Sequence, residues 1–312
     1  MPSYAIKRSI LIDAPAEQVF DTVADFATWP TWSPWLQVDP KAALNYTGKP
    51  GGLNSGYQWT GEIVGQGEME HLFLNRPWQI VDDLRFIKPM NSRSDVSFDF
   101  ESIDHSTKVT WQMNGKLPWF LFWLKPTITT FISMDYDRGL KMLKEFVETG
   151  EVLSELEVLG TETRKKIHVL GTRDSATITQ IGPVMEKALH EVGKTMQSVE
   201  MTPASEAISI YHPVNLKHGR FEFTTGFPVS SAVAPPSGLQ CIEIPSGKFL
   251  RIRHTGSYDN LGNAWSGIYQ FARAKKLKIA KRDGFEIYRN NPNDTPVNEL
   301  VTDVYVPLKS SK

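Results

Sequence analysis

A single cysteine, Cys241, stands in a chain of 312 residues, which excludes an internal disulfide and any metal centre built on several thiolates. It reads as a buried, inert thiol in a reducing compartment. Charge of one sign is also lacking. The formal net charge is −1, and division at Gly150 gives 14 basic and 18 acidic side chains before (−4) and 20 and 17 after (+3). Neither half therefore carries the basic field that a polyphosphate ligand requires. Long hydrophobic runs are missing as well. The longest, in "PWFLFWLKP" near residue 120, holds six or seven apolar residues, against the ~20 that span a bilayer. The opening "MPSYAIKRSILIDAPAEQVF" has too short an apolar run and the wrong flanks for a secretory signal, so cytoplasmic residence without a membrane span is expected. Neither a metal nor a cofactor is expected: His71 and His105 have no partner at ligand spacing, and the first half offers no nucleophile–base pair.

What is present divides in two, as the length leads one to expect. In residues 1–150, Tyr4 to Ile12 alternates as a strand, and Asp13 is placed to cap a helix with Pro15 in its first turn and Val19, Phe20 and Val23 on one side. After "TWPTWSPW" come "GYQWTGEIVG", "GQGEMEHLFL", "WQIVDDLRFI", "SDVSFDFESI" and "TKVTWQMNGK", alternating runs at hairpin spacing that predict an antiparallel meander. Glu62, Glu68 and Glu70 fall at strand spacing and form a solvated face. A long helix is predicted from Pro126 to Thr149, stopped by Gly150, with Ile128, Phe131, Leu143 and Phe146 as much of its buried stripe. Trp29, Trp32, Trp35 and Trp59 either pack in the core or line a cavity mouth.

The segments "IDAPAEQVFDTVADFATWPTWSPW", "GQGEME", "TKVTWQMNGK" and "GLKMLKEFVE" resemble the START-like superfamily that includes polyketide cyclase/dehydrase-type proteins. The resemblance implies a helix-grip fold, an antiparallel sheet around a long C-terminal helix, with a deep, mostly apolar cavity between them. That superfamily mixes lipid carriers, cyclases and other roles, so the fold does not supply a function.

Residues 151–162, within the charged, aromatic-poor "GEVLSELEVLGTETRKK", read as a linker. Beyond it the chain repeats. A helical stripe of Met185, Ala188, Leu189, Val192 and Met196 is matched 76 residues later by Leu261, Ala264, Trp265, Ile268 and Ala272, and "AISIY" is matched by "GFEIY" 77 residues on. Each leads to a strand with a proline at its end. Two strand-helix-strand-strand units predict a pseudo-symmetric α+β domain with a groove along their interface.

Within that repeat, Ile208 and Ile210 correspond to Phe285 and Ile287 on one face, and Ser209 and Tyr211 to Glu286 and Tyr288 on the other. Glu286 breaks the symmetry where its twin is a serine, and Trp265 breaks it where its twin is Leu189. With Tyr258, Tyr269, Tyr288 and Tyr305 on neighbouring segments, an acid among aromatic faces suits a lipophilic cation: rings supply area and cation–π attraction, the carboxylate the countercharge. The competing reading sets Glu286 at an exposed edge or pairs it with Arg253 or Arg289.

The segments "FLRIRHTGSYDNLGNAWSGIYQFA" and "GFEIYRNNPNDTPVNELVTDVYVPL", with the tandem repeat over 163–309, resemble the gyrase-inhibitor-like small-molecule-binding domain, also the effector-binding half of AraC- and MerR-type regulators. The resemblance implies a pocket for amphipathic, often cationic molecules with a glutamate at its base, and Glu286 is the matching position. Some relatives are hydrolases of strained electrophilic rings that use this glutamate to assist water. No recognition helix appears in residues 1–150, and "RAKKLKIAKR" from Arg273 to Arg282 reads as a solvated helix end, so direct nucleic-acid binding is not expected.

Three functions follow. The first is capture or sensing of an amphipathic cation at Glu286, Trp265, Tyr258, Tyr269, Tyr288 and Tyr305, with an apolar ligand in the first half. The second is a hydrolase with Glu286 as base and Tyr288 or Tyr305 as proton donor. The third is an interaction protein that presents its ligand-filled halves to a protein partner.

Overall fold

The structure is a computed structural model that describes residues 3–177, 180–212 and 220–309. The chain divides into two compact units, Met1–Val152 and Leu153–Lys312.

In the first unit, β1 (Ser3–Ile12) leads into α1 (Ala16–Ala24) and the short α2 (Trp29–Trp32). Then follow β2 (Ala43–Thr47), β3 (Gly56–Gly61), β4 (Gly65–Asn75), β5 (Gln79–Lys88), β6 (Ser92–Ile103), β7 (Ser106–Lys116) and α3 (Lys125–Thr149). The seven strands form one antiparallel sheet in the order β1-β7-β6-β5-β4-β3-β2, as the alternating runs predict. Pro15, not Asp13, flanks α1; the Asp13 carboxylate instead accepts a hydrogen bond from Ser106 Oγ at 3.2 Å. The reason is proline's fixed φ, −61° here, which sets the helix start one residue past it. Gly150 stops α3 as expected, in the left-handed region at φ 87°, with its N–H donating to Phe146 O.

The buried stripe of α3 is Tyr136, Leu140, Met142 and Leu143. Of the expected set only Leu143 is fully buried, and Phe131 is 54% exposed. Full burial along the helix begins at Ser133, so the first turns carry apolar residues that the core does not take up. Trp29, Trp32, Trp59 and Trp111 are buried, while Trp35 is half-buried and donates from Nε1 to Asp135 Oδ2 at 3.1 Å. Phe98, Trp111 and Tyr136 stack in a column from sheet to helix, with centroids 5.0 and 3.9 Å apart. These rings lie between the sheet and α3, the two elements between which the resemblance implies an apolar cavity.

In the second unit, β8 (Ser154–Arg164), β9 (Ile167–Thr177), α4 (Ile181–Ser198), β10 (Ile208–Tyr211), β11 (Arg220–Val229) and β12 (Gln240–Ile244) come first. Then come β13 (Gly247–Gly256), α5 (Gly262–Ala274), β14 (Gly284–Tyr288) and β15 (Val301–Pro307). The sheet order, β12-β9-β11-β10-β14-β15-β13-β8, is a palindrome of the repeat: β10 meets β14 at the centre, and β11, β9 and β12 mirror β15, β13 and β8. The expected linker is a correction. Residues 154–164 form β8, an edge strand paired with β13. Its charged, largely exposed side chains are what an edge strand needs, and in sequence they imitate a linker. Cys241 is half-buried rather than buried, packed beside Leu170, Val192 and Met196.

Candidate functional site

The site grows from the central pair of strands. Antiparallel register sets Ile208 opposite Ile287 and Ile210 opposite Phe285, and these four share one apolar cluster on one face of the sheet. The alternation then turns Ser209 and Glu286, also opposite each other, to the other face, toward Met185 of α4 and Trp265 of α5. Gly284 gives the indole its room: a Cβ there would stand 2.9 Å from Trp265 Cη2.

Glu286 is only 1% exposed, and both its oxygens are occupied by donors. Trp265 Nε1 donates to Oε1 at 2.5 Å, and Tyr288 Oη and Tyr211 Oη donate to Oε2 at 2.7 and 3.2 Å. Tyr288 Oη also stands 3.1 Å from Ser209 Oγ and 3.5 Å from Met185 Sδ. Burial pushes the Glu286 carboxyl above its ordinary value, and the three donors pull it back only in part. Both tyrosines are pushed well up, first by burial and then by the neighbouring acid, so they remain protonated donors. No cationic side chain pairs with Glu286 among the described residues. A buried carboxylate is normally paired; among the described residues this one has dipoles and rings only.

Aromatic walls surround it. The Tyr211 ring meets Trp265 edge-on at 4.9 Å, Tyr258 meets Tyr288 edge-on at 5.7 Å, and Trp265 and Tyr269 stack at 6.4 Å. Trp265, Tyr211 and Tyr288 are half-buried, while Tyr258 and Tyr269 are exposed, so the wall runs from the acid out to solvent.

The structure thus brings Glu286, Trp265, Tyr288, Tyr258 and Tyr269 together, and leaves Tyr305 out. Tyr305 lies opposite Phe285 in the β14–β15 ladder, while Glu286 faces Val304, which puts the Tyr305 ring on the other side of the sheet. There it stacks on Phe285 at 4.7 Å, with the Arg164 guanidinium 4.7 Å above the ring and Arg164 and Arg289 donating to its hydroxyl. Arg253 and Arg289, the alternative partners of Glu286, both reach the buried Asp303 instead, joined by Arg251. His254 is buried on the helix side, its Nε2 3.2 Å from Ser154 Oγ and its Nδ1 without a partner among the described residues, and burial pushes its pKa down to about 4. Tyr211, Ser209 and Met185 are site residues that the sequence reading did not assign. For Tyr211 the signal was present, because it is the twin of Tyr288.

The first unit holds a buried histidine–carboxylate pair. His71 Nδ1 lies 2.5 Å from Asp82 Oδ1, and Nε2 donates to Ala24 O at 2.8 Å. Burial opposes a charge on His71, but the bonds to Asp82 and Ala24 outweigh it and raise its pKa.

Residues 161–309 match the family described as a GyrI-like small molecule binding domain, and residues 4–148 match the family described as polyketide cyclase / dehydrase and lipid transport. Each half thus matches a different family model. No curated protein matches the chain. Solved structures resemble parts of it. SAV2435 bound to tetraphenylphosphonium is 12% identical with a TM-score of 0.39, covering 50% of this chain and 94% of that one. Protein CV1439 from Chromobacterium violaceum is 14% identical with a TM-score of 0.36, covering 46% and 96%. The Aha1 dimer from Colwellia psychrerythraea is 16% identical with a TM-score of 0.35, covering 47% and 98%. The GyrI-like half is the one that contains Glu286, and the polyketide-cyclase-type half contains the ring column and His71.

Proposed function

We propose that the GyrI-like half captures an amphipathic monocation, with Glu286 as countercharge and Trp265, Tyr211, Tyr288, Tyr258 and Tyr269 as its aromatic walls. One observation carries this reading: a fully buried carboxylate that accepts three hydrogen bonds and has no cationic partner among the described residues. Burial without a countercharge costs free energy in the empty protein. A bound cation removes that cost, while rings at 4.9–6.4 Å from one another supply cation–π attraction and apolar area.

The hydrolase reading uses the same acid, since a raised carboxyl pKa suits a general base and Tyr288 Oη lies 2.7 Å away. Three donors already occupy three of the roughly four lone-pair sites of the carboxylate, which leaves little for a base to offer water and favours capture over turnover. Titration calorimetry of the full chain with tetraphenylphosphonium tests the choice. Glu286→Gln is expected to weaken binding at least about tenfold, with a neutral analogue of like size unaffected. Equal affinity in wild type and variant rejects the assigned role. Consumption of an epoxide panel by the wild type alone would restore the hydrolase.

A further inference from the structure

The aromatic run near residue 120 has no part in the site above. It forms a 3-10 turn, Trp119–Leu124, between β7 and α3. Trp119 is 75% exposed, Trp123 64%, Phe122 62% and Phe120 57%. Four large rings on one six-residue turn form an apolar surface of the kind that marks a partner or a membrane. The turn is held ready: Pro118 and Pro126 bracket it, and Trp123 Nε1 donates to Phe120 O at 3.1 Å.

Charge decides what it meets. From His105 to Met134 the sequence contains no Asp or Glu, and its lysines are Lys108, Lys116 and Lys125. Two of these, Lys116 and Lys125, flank the turn. The next acids toward the C-terminus are already engaged, Asp135 with Arg138 and Trp35 and Asp137 with Arg8. Exposed rings flanked along the chain by two exposed lysines suit a bilayer, in which apolar chains lie beneath a plane of phosphates. No helix among the described residues is long and apolar enough to cross a membrane, so the contact is interfacial.

We propose that the Trp119–Leu124 turn docks the polyketide-cyclase-type half onto a lipid bilayer with anionic headgroups. The rings enter the interface, where tryptophan is favoured, and the two lysines add headgroup attraction that salt weakens.

Flotation of the full chain with phosphatidylcholine vesicles, with and without about one third phosphatidylserine, tests this. The wild type is expected to float with the anionic vesicles. Trp119→Ala/Trp123→Ala lowers its partition at least about tenfold, a change within reach of two indole rings leaving an apolar medium. Lys116→Gln/Lys125→Gln removes the preference for phosphatidylserine. All four positions are on the surface, and an unchanged melting temperature confirms that the variants fold; Phe122→Ala is the reserve variant. Failure of the wild type to float, or equal flotation of the tryptophan variant, overturns the proposal. Self-association of the wild type in sedimentation velocity that the tryptophan variant abolishes, without flotation, also overturns it and assigns the surface to a second copy.

Discussion

Ser209 and Glu286 stand directly opposite each other in the β10–β14 ladder, both fully buried, at the midpoint of an eight-stranded sheet. They are twins of one repeat position, and only one of them ionises. The tyrosines two residues on, Tyr211 and Tyr288, are also twins, and both donate to the one acid.

Cation binding is therefore expected to depend on pH. The Glu286 carboxyl is held above its ordinary 4.5 by burial, and a cation favours the charged form. Affinity for tetraphenylphosphonium falls as pH drops through the raised value, and binding near it releases a proton to the buffer. Tyr288→Phe deletes a donor to the carboxylate, so the midpoint moves to higher pH. Calorimetry in two buffers of different ionisation enthalpy measures both effects; a pH-independent affinity in the wild type contradicts them.

His254 gives the second unit an acid limit. Its pKa is about 4 in the fold against an ordinary 6.5, because burial disfavours the charged ring. The folded state then binds fewer protons than the unfolded chain between these values. Stability is complete above 6.5 and is lost as pH falls toward 4, by up to ~3 kcal/mol at ~1.4 kcal/mol per unit. Urea denaturation across this range is expected to show the slope, and His254→Gln to flatten it.

Asp303 holds three guanidinium groups with one carboxylate. Arg251 donates at 2.7 Å, Arg253 at 2.8 Å, and Arg289 also bonds to it. Burial alone would raise the Asp303 pKa, yet these hydrogen bonds lower it. Asp303→Asn leaves the arginines facing one another and is expected to cost about 2–4 kcal/mol in urea denaturation. Arg253→Gln, a third exposed and one donor of three, is expected to cost about 1 kcal/mol or less.

Much of this was legible because a repeat states each position twice. Ile208 and Ile210 against Phe285 and Ile287 fixed which face Glu286 takes, and the register confirms that face. Tyr305 shows what alternation cannot supply: parity along a strand sorts its own residues, but which face they share with a neighbouring strand depends on register, here Phe285 to Tyr305. The His71–Asp82 pair was hidden for a related reason. It lies across the β4–β5 hairpin, where the register shifts between His71 and Phe73, so residue counting does not align the two side chains. Edge strand β8 was hidden by its charge, which serves solvent on an edge as it does in a linker.

The palindromic sheet duplicates the tyrosines but not the acid, and that limits charge as well as shape. A guest with one positive centre would leave the site neutral. A guest with two leaves one of them desolvated and unmatched, a penalty of several kcal/mol that no additional ring contact offsets. On the proposed function the site is therefore expected to act as a valence filter, passing singly charged aromatic cations and turning away dications of the same size.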